Sequence, residues 1–255
     1  MPPSFAPHGA AIAFLHTTAL HIESFERLRD EIAPGLRLTH VVREDLLAAT
    51  EKAGGITPAV SLKTQEALLA LAEGGARVVV CTCSTLGAEA EQAAGEADIP
   101  VMRIDRPMAD RAVREGTRIG ICAALRPTLQ PTRALIESSA ARAGRDVEIR
   151  EFLFDDVWLA FREGRLDDYH EGIAARLGEA AREADLLVLA QASMAPAARL
   201  AGALSAPVLA SPRIGFTEAA RIAGVRASVA AEFSYVAVQS DCDIMPNHVG
   251  CAGPD

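Results

Sequence analysis

The chain predicts an α/β protein of two pseudo-symmetric halves, each a parallel sheet flanked by helices, with an active-site cleft between them. Three observations carry this expectation. The 255 residues are 50% hydrophobic yet only 4% aromatic, so the interior is built of alanine, valine, isoleucine and leucine. That composition suits buried parallel strands, which read as continuous apolar runs. Short apolar runs alternate with segments of helical period, the order of strand–helix units. The same series of landmarks also occurs twice along the chain, and an internal repeat of this kind governs how the whole fold is read.

Residues 10–14 predict the first strand, and 118–122 are its counterpart. The turns that follow read Leu15-His16-Thr17-Thr18 and Leu125-Arg126-Pro127-Thr128. Residues 41–48 match 152–159, with Asp45 and Asp156 at equivalent places. A helix over 62–73 carries Leu68, Leu69 and Ala72 on one face and stops at Gly74-Gly75. The strand-like run 79–83 corresponds to 187–191, so Cys83 pairs with Gln191 in the repeat. Ile99-Pro100-Val101-Met102 corresponds to Ala206-Pro207-Val208-Leu209 at nearly the same separation. Helices are also expected over 133–143, closed by Gly144, and over 169–184, where Ile173, Leu177, Ala181 and Ala184 share a face. The halves are expected to span 10–113 and 114–230. Residues 231–255, polar and turn-rich without a period, read as a tail.

Bulk properties exclude several function classes. The formal net charge is −9 and the isoelectric point about 5.2, with no basic block, which argues against nucleic acid and anionic membrane as partners. No apolar run approaches the roughly 18 residues that span a bilayer. The stretch 10–15 is too short for a signal-peptide core and lacks a basic flank. Five cysteines in no framework spacing read as reduced thiols, hence a cytoplasmic protein.

Ligands of parallel sheets bind beyond the carboxyl ends of the strands. Cys83 stands there, after an apolar strand and just where a helix begins. Backbone N–H groups at a helix start stabilise anions, so the place suits a reactive thiolate. Cys81, two residues earlier on the same strand face, is expected deeper, as packing. His16 is expected at the cleft mouth, where an imidazole could transfer protons. Thr17, Thr18 and Thr128 read equally as turn caps or carboxylate donors. Arg126 reads as a solvated loop residue or a carboxylate partner. Asp45 and Asp156 are expected as helix N-terminal caps, and Trp158 as packing. Cys242, His248 and Cys251 fit no standard zinc spacing.

With these residues in view, the chain resembles the aspartate/glutamate racemase superfamily, which includes hydantoin racemases, maleate isomerases and arylmalonate decarboxylases. Cys83-Ser84-Thr85 resembles the first-half Cys-Asn-Thr motif of that family. The run 185–193 resembles its second-half Gly-Cys-Thr-His motif, with Gln191 at the position of the second cysteine and Ser193 at that of the histidine. The resemblance spans roughly residues 10–220. It implies cofactor-independent proton transfer at a carbon next to a carboxylate, with no metal, and Cys83 as the acid/base. Backbone N–H groups around Ser84-Thr85 and Ala192-Ser193 would hold the enediolate charge, with Thr85 and Ser193 nearest the substrate carboxylate. Dimers are common in that family, which leaves room for a homodimer.

Gln191 cannot shuttle a proton, because its amide has no accessible pKa. Three resolutions fit the sequence. His16 or Ser193 serves as the second acid or base; or a single thiol suffices, as in arylmalonate decarboxylases, whose thiol lies in the other half; or the chain binds a carboxylate without turning it over. The leading expectation is a racemase or isomerase, followed by a one-thiol decarboxylase or lyase and then by a non-catalytic carboxylate-binding protein.

Overall fold

The computed structural model describes residues 11–225. The expected tail 231–255, with Cys242, His248 and Cys251, lies outside the described residues. In chain order the first half comprises β1 (Ile12–His16), α1 (Leu20–Ile32), β2 (Leu38–Val42), α2 (Glu44–Ala53), α3 (Pro58–Glu73), β3 (Val78–Cys81), α4 (Gly87–Ala93), β4 (Val101–Arg103) and α5 (Arg106–Glu115). The second comprises β5 (Arg118–Ala123), α6 (Leu129–Ala143), β6 (Glu148–Leu153), α7 (Trp158–Arg162), α8 (Leu166–Arg182), β7 (Leu186–Leu189), α9 (Ala197–Leu200), β8 (Val208–Ala210) and α10 (Ser211–Ile222).

The strands form two four-stranded sheets ordered β2-β1-β3-β4 and β6-β5-β7-β8. Every ladder is parallel. Central strands β1 and β3 are buried along their whole length, as continuous apolar runs require in a sheet covered on both faces. Helix stops follow local chemistry. α3 begins with Pro58 in its first turn behind the Thr57 cap, whose hydroxyl accepts from the Val60 N–H. α6 closes at Gly144, whose φ of 62° is left-handed and costs glycine little.

Alternation along β1 and β3 divides the first core into two layers. Ala13, Leu15, Val79 and Cys81 face α2, α3 and α4 through Leu46, Leu68 and Ala90. Ile12, Phe14, Val78 and Val80 face Phe25 and Ile32 of α1 and also Phe216, Ala219 and Ala220 of α10. The second core mirrors this arrangement. Its inner layer packs Ile119, Ile121 and Val188 against α6 and against Met108, Ala109 and Ala112 of α5. Each half therefore sends its last helix to cover the other half's sheet. The expected boundary at 113–114 falls inside α5.

This exchange brings α10 very close to the end of β4. A Cβ on Gly215 would stand 2.1 Å from the Ile104 carbonyl oxygen, a backbone atom that cannot rotate away. Gly215→Ala should destabilise the protein by about 3 kcal/mol, at the upper end of overpacking costs. Urea unfolding measures this, and an unchanged midpoint would contradict the close approach.

Candidate active site

The carboxyl ends of β1, β3, β5 and β7 converge on one cavity of about 340 Å³. From the first half its wall takes Thr17, Thr18, Thr82, Cys83, Ser84 and Thr85; from the second it takes Thr128, Gln191, Ala192 and Ser193. A single turn of 3-10 helix follows each motif strand, at Ser84–Leu86 and Ala192–Met194. Cys83 and Gln191 are thus brought to the same cavity from the two halves. A larger cavity, about 510 Å³, lies between α1, α5, α9 and α10 and touches this wall only through Ala192. Its lining holds neither a thiol nor an imidazole.

Cys83 is half-buried, and its sulfur is met by the hydroxyls of Thr17 and Thr85 and by the N–H groups of Thr85 and Leu86. These four donors favour the thiolate, as expected for a helix start. Burial outweighs them, however, and pushes the thiol above its ordinary value. The resting sulfur is therefore a protonated thiol at neutral pH, which corrects the expectation of a thiolate-favouring site. Alkylation of Cys83 by iodoacetamide should accordingly rise with pH only above the range of an ordinary thiol. A plateau reached by pH 7 would show the reverse shift. Cys81 is fully buried, its Sγ 3.7 Å from the Cys83 carbonyl, and burial raises its pKa as well, so it packs.

The turn carrying Cys83 rests on a buried ion pair. Arg103 donates to Asp105 through Nε at 2.6 Å and Nη2 at 3.0 Å, and Nη2 also reaches the Ser84 carbonyl at 3.4 Å. The guanidinium lies over Gly87, where a Cβ would stand 2.3 Å from Cζ. Glycine at the start of α4 is therefore what lets the arginine approach the turn.

On the opposite wall, Gln191 Oε1 accepts the Ala124 N–H at 2.8 Å, which fixes the orientation of the amide. Its Nε2 is buried and has no hydrogen-bond partner among the described residues. Ser193 Oγ lies 2.9 Å from the hydroxyl of Tyr169, and its carbonyl accepts from His170 Nε2 at 2.9 Å. Burial raises the Tyr169 pKa, so the phenol stays protonated beside Ser193.

His16 is not at the cleft mouth. It is fully buried and does not line the cavity. As the last residue of β1 it shares the sheet face of Phe14, and it points under α1 rather than outward. Burial first, then the neighbouring His21 and His40, hold its pKa at about 2. His21, in the first turn of α1, does line the cavity, and burial lowers its pKa to about 4. The His40 pKa is lowered as well, by burial, against an opposing hydrogen bond that its Nε2 donates to the Glu26 carboxylate. All three have folded pKa values below the 6.5 at which they titrate when unfolded. Below pH 6.5 the unfolded chain binds more protons, so stability should fall with pH from 6.5 toward 4. His16 and His21 each contribute about 1.4 kcal/mol per pH unit at full slope, and His40 acts in the same direction. Unfolding midpoints flat between pH 6.5 and 4.5 would contradict neutral burial.

Trp158 does more than pack: stacked on Phe161 at 4.8 Å, it forms an apolar side of the cavity with Leu20, Leu47 and Leu125. Glu44, Glu51 and Arg162 supply its charges. Arg126 is exposed and pairs with Asp155 at 3.5 Å, outside the cavity lining. Neither Asp45 nor Asp156 caps a helix; they pair with Arg43 and Arg176 on the surface. Nothing in the local pattern of the sequence marked His21, His40 or Phe161, because their roles depend on which elements become neighbours.

Two parallel α/β lobes whose strand ends meet at one cavity make up the racemase fold, and solved structures share it. The aspartate racemase of Picrophilus torridus superposes with a TM-score of 0.65 at 12% identity, over 87% of this chain and 96% of its own. The allantoin racemase of Klebsiella pneumoniae gives 0.56 at 17% identity, over 86% and 91%. An arylmalonate decarboxylase gives 0.51 at 17% identity, over 86% and 95%. The chain belongs to the Asp/Glu/Hydantoin racemase family, which matches residues 17–219. No curated protein matches it. Family membership supports an enzyme of racemase or isomerase type. Among the described residues no helix is long and apolar enough to cross a membrane.

Proposed function

We propose that the protein transfers protons at the carbon next to the carboxylate of a small α-substituted acid, without a cofactor, and that Cys83 is the acid/base. One observation carries the reading: the Cys83 thiol lines a cavity between the halves and is surrounded by four donors. Abstraction or delivery of an α-proton creates an enediolate, whose charge grows on the carboxylate oxygens. Thr85, Ser84 and the backbone of the 3-10 turn would stabilise that charge, in the manner of an oxyanion hole. Ala192 and Ser193 would do so from the other half, while Gln191 shapes the wall facing the thiol. The apolar side formed by Trp158 and Phe161 suits an aryl or alkyl α-substituent, and Arg162 on the same lining suits an acidic one, so both kinds of acid are candidate substrates.

A one-thiol decarboxylase is the second reading, and two observations favour it. The position facing Cys83 holds an amide that cannot exchange protons, and the resting thiol is protonated, the form that delivers a proton. Incubation in D₂O separates the readings. A racemase would exchange the α-proton of aspartate or glutamate and invert the centre. A decarboxylase would release CO₂ from phenylmalonate and leave one deuterium in the product. Thermal stabilisation by these acids without turnover would instead identify a carboxylate-binding protein.

A further inference from the structure

We propose that Glu26, His40, His16 and Thr82 form a proton relay joining the surface of α1 to the Cys83 side of the cavity. The inference rests on the proton-transfer reading above and adds a path by which such an enzyme exchanges protons with solvent. The hydrogen bonds are continuous. Thr82 Oγ1 lies 2.8 Å from His16 Nδ1, His16 Nε2 lies 2.8 Å from His40 Nδ1, and His40 Nε2 lies 3.1 Å from Glu26 Oε1. One end lines the cavity at Thr82, next to Cys83 in the chain. The other end, Glu26, has a side chain 34% exposed.

Two complete hydrogen-bond patterns fit this geometry, which is what a relay needs. In the first, the Thr82 hydroxyl donates to His16 Nδ1, His16 Nε2–H donates to His40 Nδ1, and His40 Nε2–H donates to the Glu26 carboxylate. In the second, every arrow reverses: Glu26 is protonated and donates to His40, His40 Nδ1–H donates to His16, and His16 Nδ1–H donates to Thr82. The Thr82 hydroxyl then turns to the Leu15 carbonyl, an acceptor that stands at 3.2 Å. A proton entering at Thr82 converts the first pattern into the second. Thr82 gains it and gives up its own to His16 Nδ1; Nε2 of His16 loses its proton to His40 Nδ1; Nε2 of His40 loses its proton to Glu26. Each step forms one N–H or O–H bond and breaks another, and both rings stay neutral throughout.

The surroundings support neutral transfer. His16 faces His21, Phe14 and Phe25 besides its two partners, and His40 faces Phe14, Glu26 and Arg29. An imidazolium at His16 is strongly disfavoured by this burial, so a proton passes by exchange of tautomers. Arg29, whose Nη2 lies 2.6 Å from Glu26, supplies a positive charge that favours the first pattern at rest.

The test uses the full-length protein labelled with ¹⁵N-histidine, together with Glu26→Gln, Thr82→Val and Thr82→Ser. Glutamine keeps the size of Glu26 and can accept from His40, but it cannot take up a proton. The expected result is a neutral Nε2–H tautomer at His16 in the resting parent, the state that the first pattern requires, and the same tautomer in Glu26→Gln. In the D₂O assay with aspartate, glutamate and phenylmalonate, Glu26→Gln and Thr82→Val should lower kcat by about tenfold or more with KM little changed, whereas Thr82→Ser restores it. An Nδ1–H tautomer or an imidazolium at His16 in the resting parent between pH 5 and 9 would overturn the relay, as would parental kcat in Glu26→Gln or equal losses in Thr82→Val and Thr82→Ser. The spectra are read on resting protein, so they decide the relay even if Cys83→Ser keeps full turnover and the proton-transfer reading falls.

Discussion

Cys83→Ser should lower turnover by about 10²- to 10⁴-fold, the span over which a positioned acid or base contributes. The substitution keeps the size of the side chain, and the donors from Thr17, Thr85 and Leu86 remain to hold a hydroxyl in place. A hydroxyl is far too weak an acid to replace the thiol, so the loss should fall on kcat while binding and fold persist. Circular dichroism and the unfolding midpoint should match the parent. Retained kcat would remove Cys83 from the chemistry, whatever its position in the cavity.

Asp105→Ala should be the most destabilising single change near the site. Both partners of the Arg103–Asp105 pair are almost wholly removed from solvent, with side-chain exposures of 4% and 1%. Deleting the carboxylate leaves the buried guanidinium with only the more distant Glu91, at 3.8 Å, as a counter-charge, a loss of about 3 kcal/mol. The double variant Arg103→Met/Asp105→Leu removes both charges and should recover most of that stability, since apolar replacement of a buried pair is often neutral. It should not recover activity fully, because the Ser84 carbonyl also loses its contact with Arg103. Urea unfolding of the three variants measures the first effect and kcat of the double variant the second. A double variant no more stable than Asp105→Ala would contradict the account of the pair.

Much of the fold was legible because it is written in local patterns. The apolar runs at 10–14, 79–83, 118–122 and 187–191 read as strands, which form within two residues of those bounds, and Gly74-Gly75 and Gly144 marked helix ends where they occur. The repeat placed Cys83 and Gln191 together, since matched strand ends in two parallel sheets meet at one cleft. The exchanged helices α5 and α10 were not legible: their apolar faces read the same whichever sheet they cover. His16 was misplaced for a related reason. Its position after an apolar run suggested the cleft mouth, but the pleat turns it toward α1, where His40 from the adjacent strand receives it. The Cys83 thiol was read by its donors alone, and only the packed structure shows how much burial opposes them.

The central claim is that Cys83 exchanges a proton with the α-carbon of a carboxylate, and its most direct test is isotopic. Protein in which Cys242 and Cys251 are replaced by serine, alkylated with excess iodoacetamide at a pH above the ordinary thiol range and confirmed to carry the label at Cys83, is compared with the same protein untreated in D₂O on the same panel of acids. The account predicts one deuterium at the α-carbon with untreated protein and none above background once Cys83 carries the label. Deuterium incorporated at equal rates by both samples would contradict it.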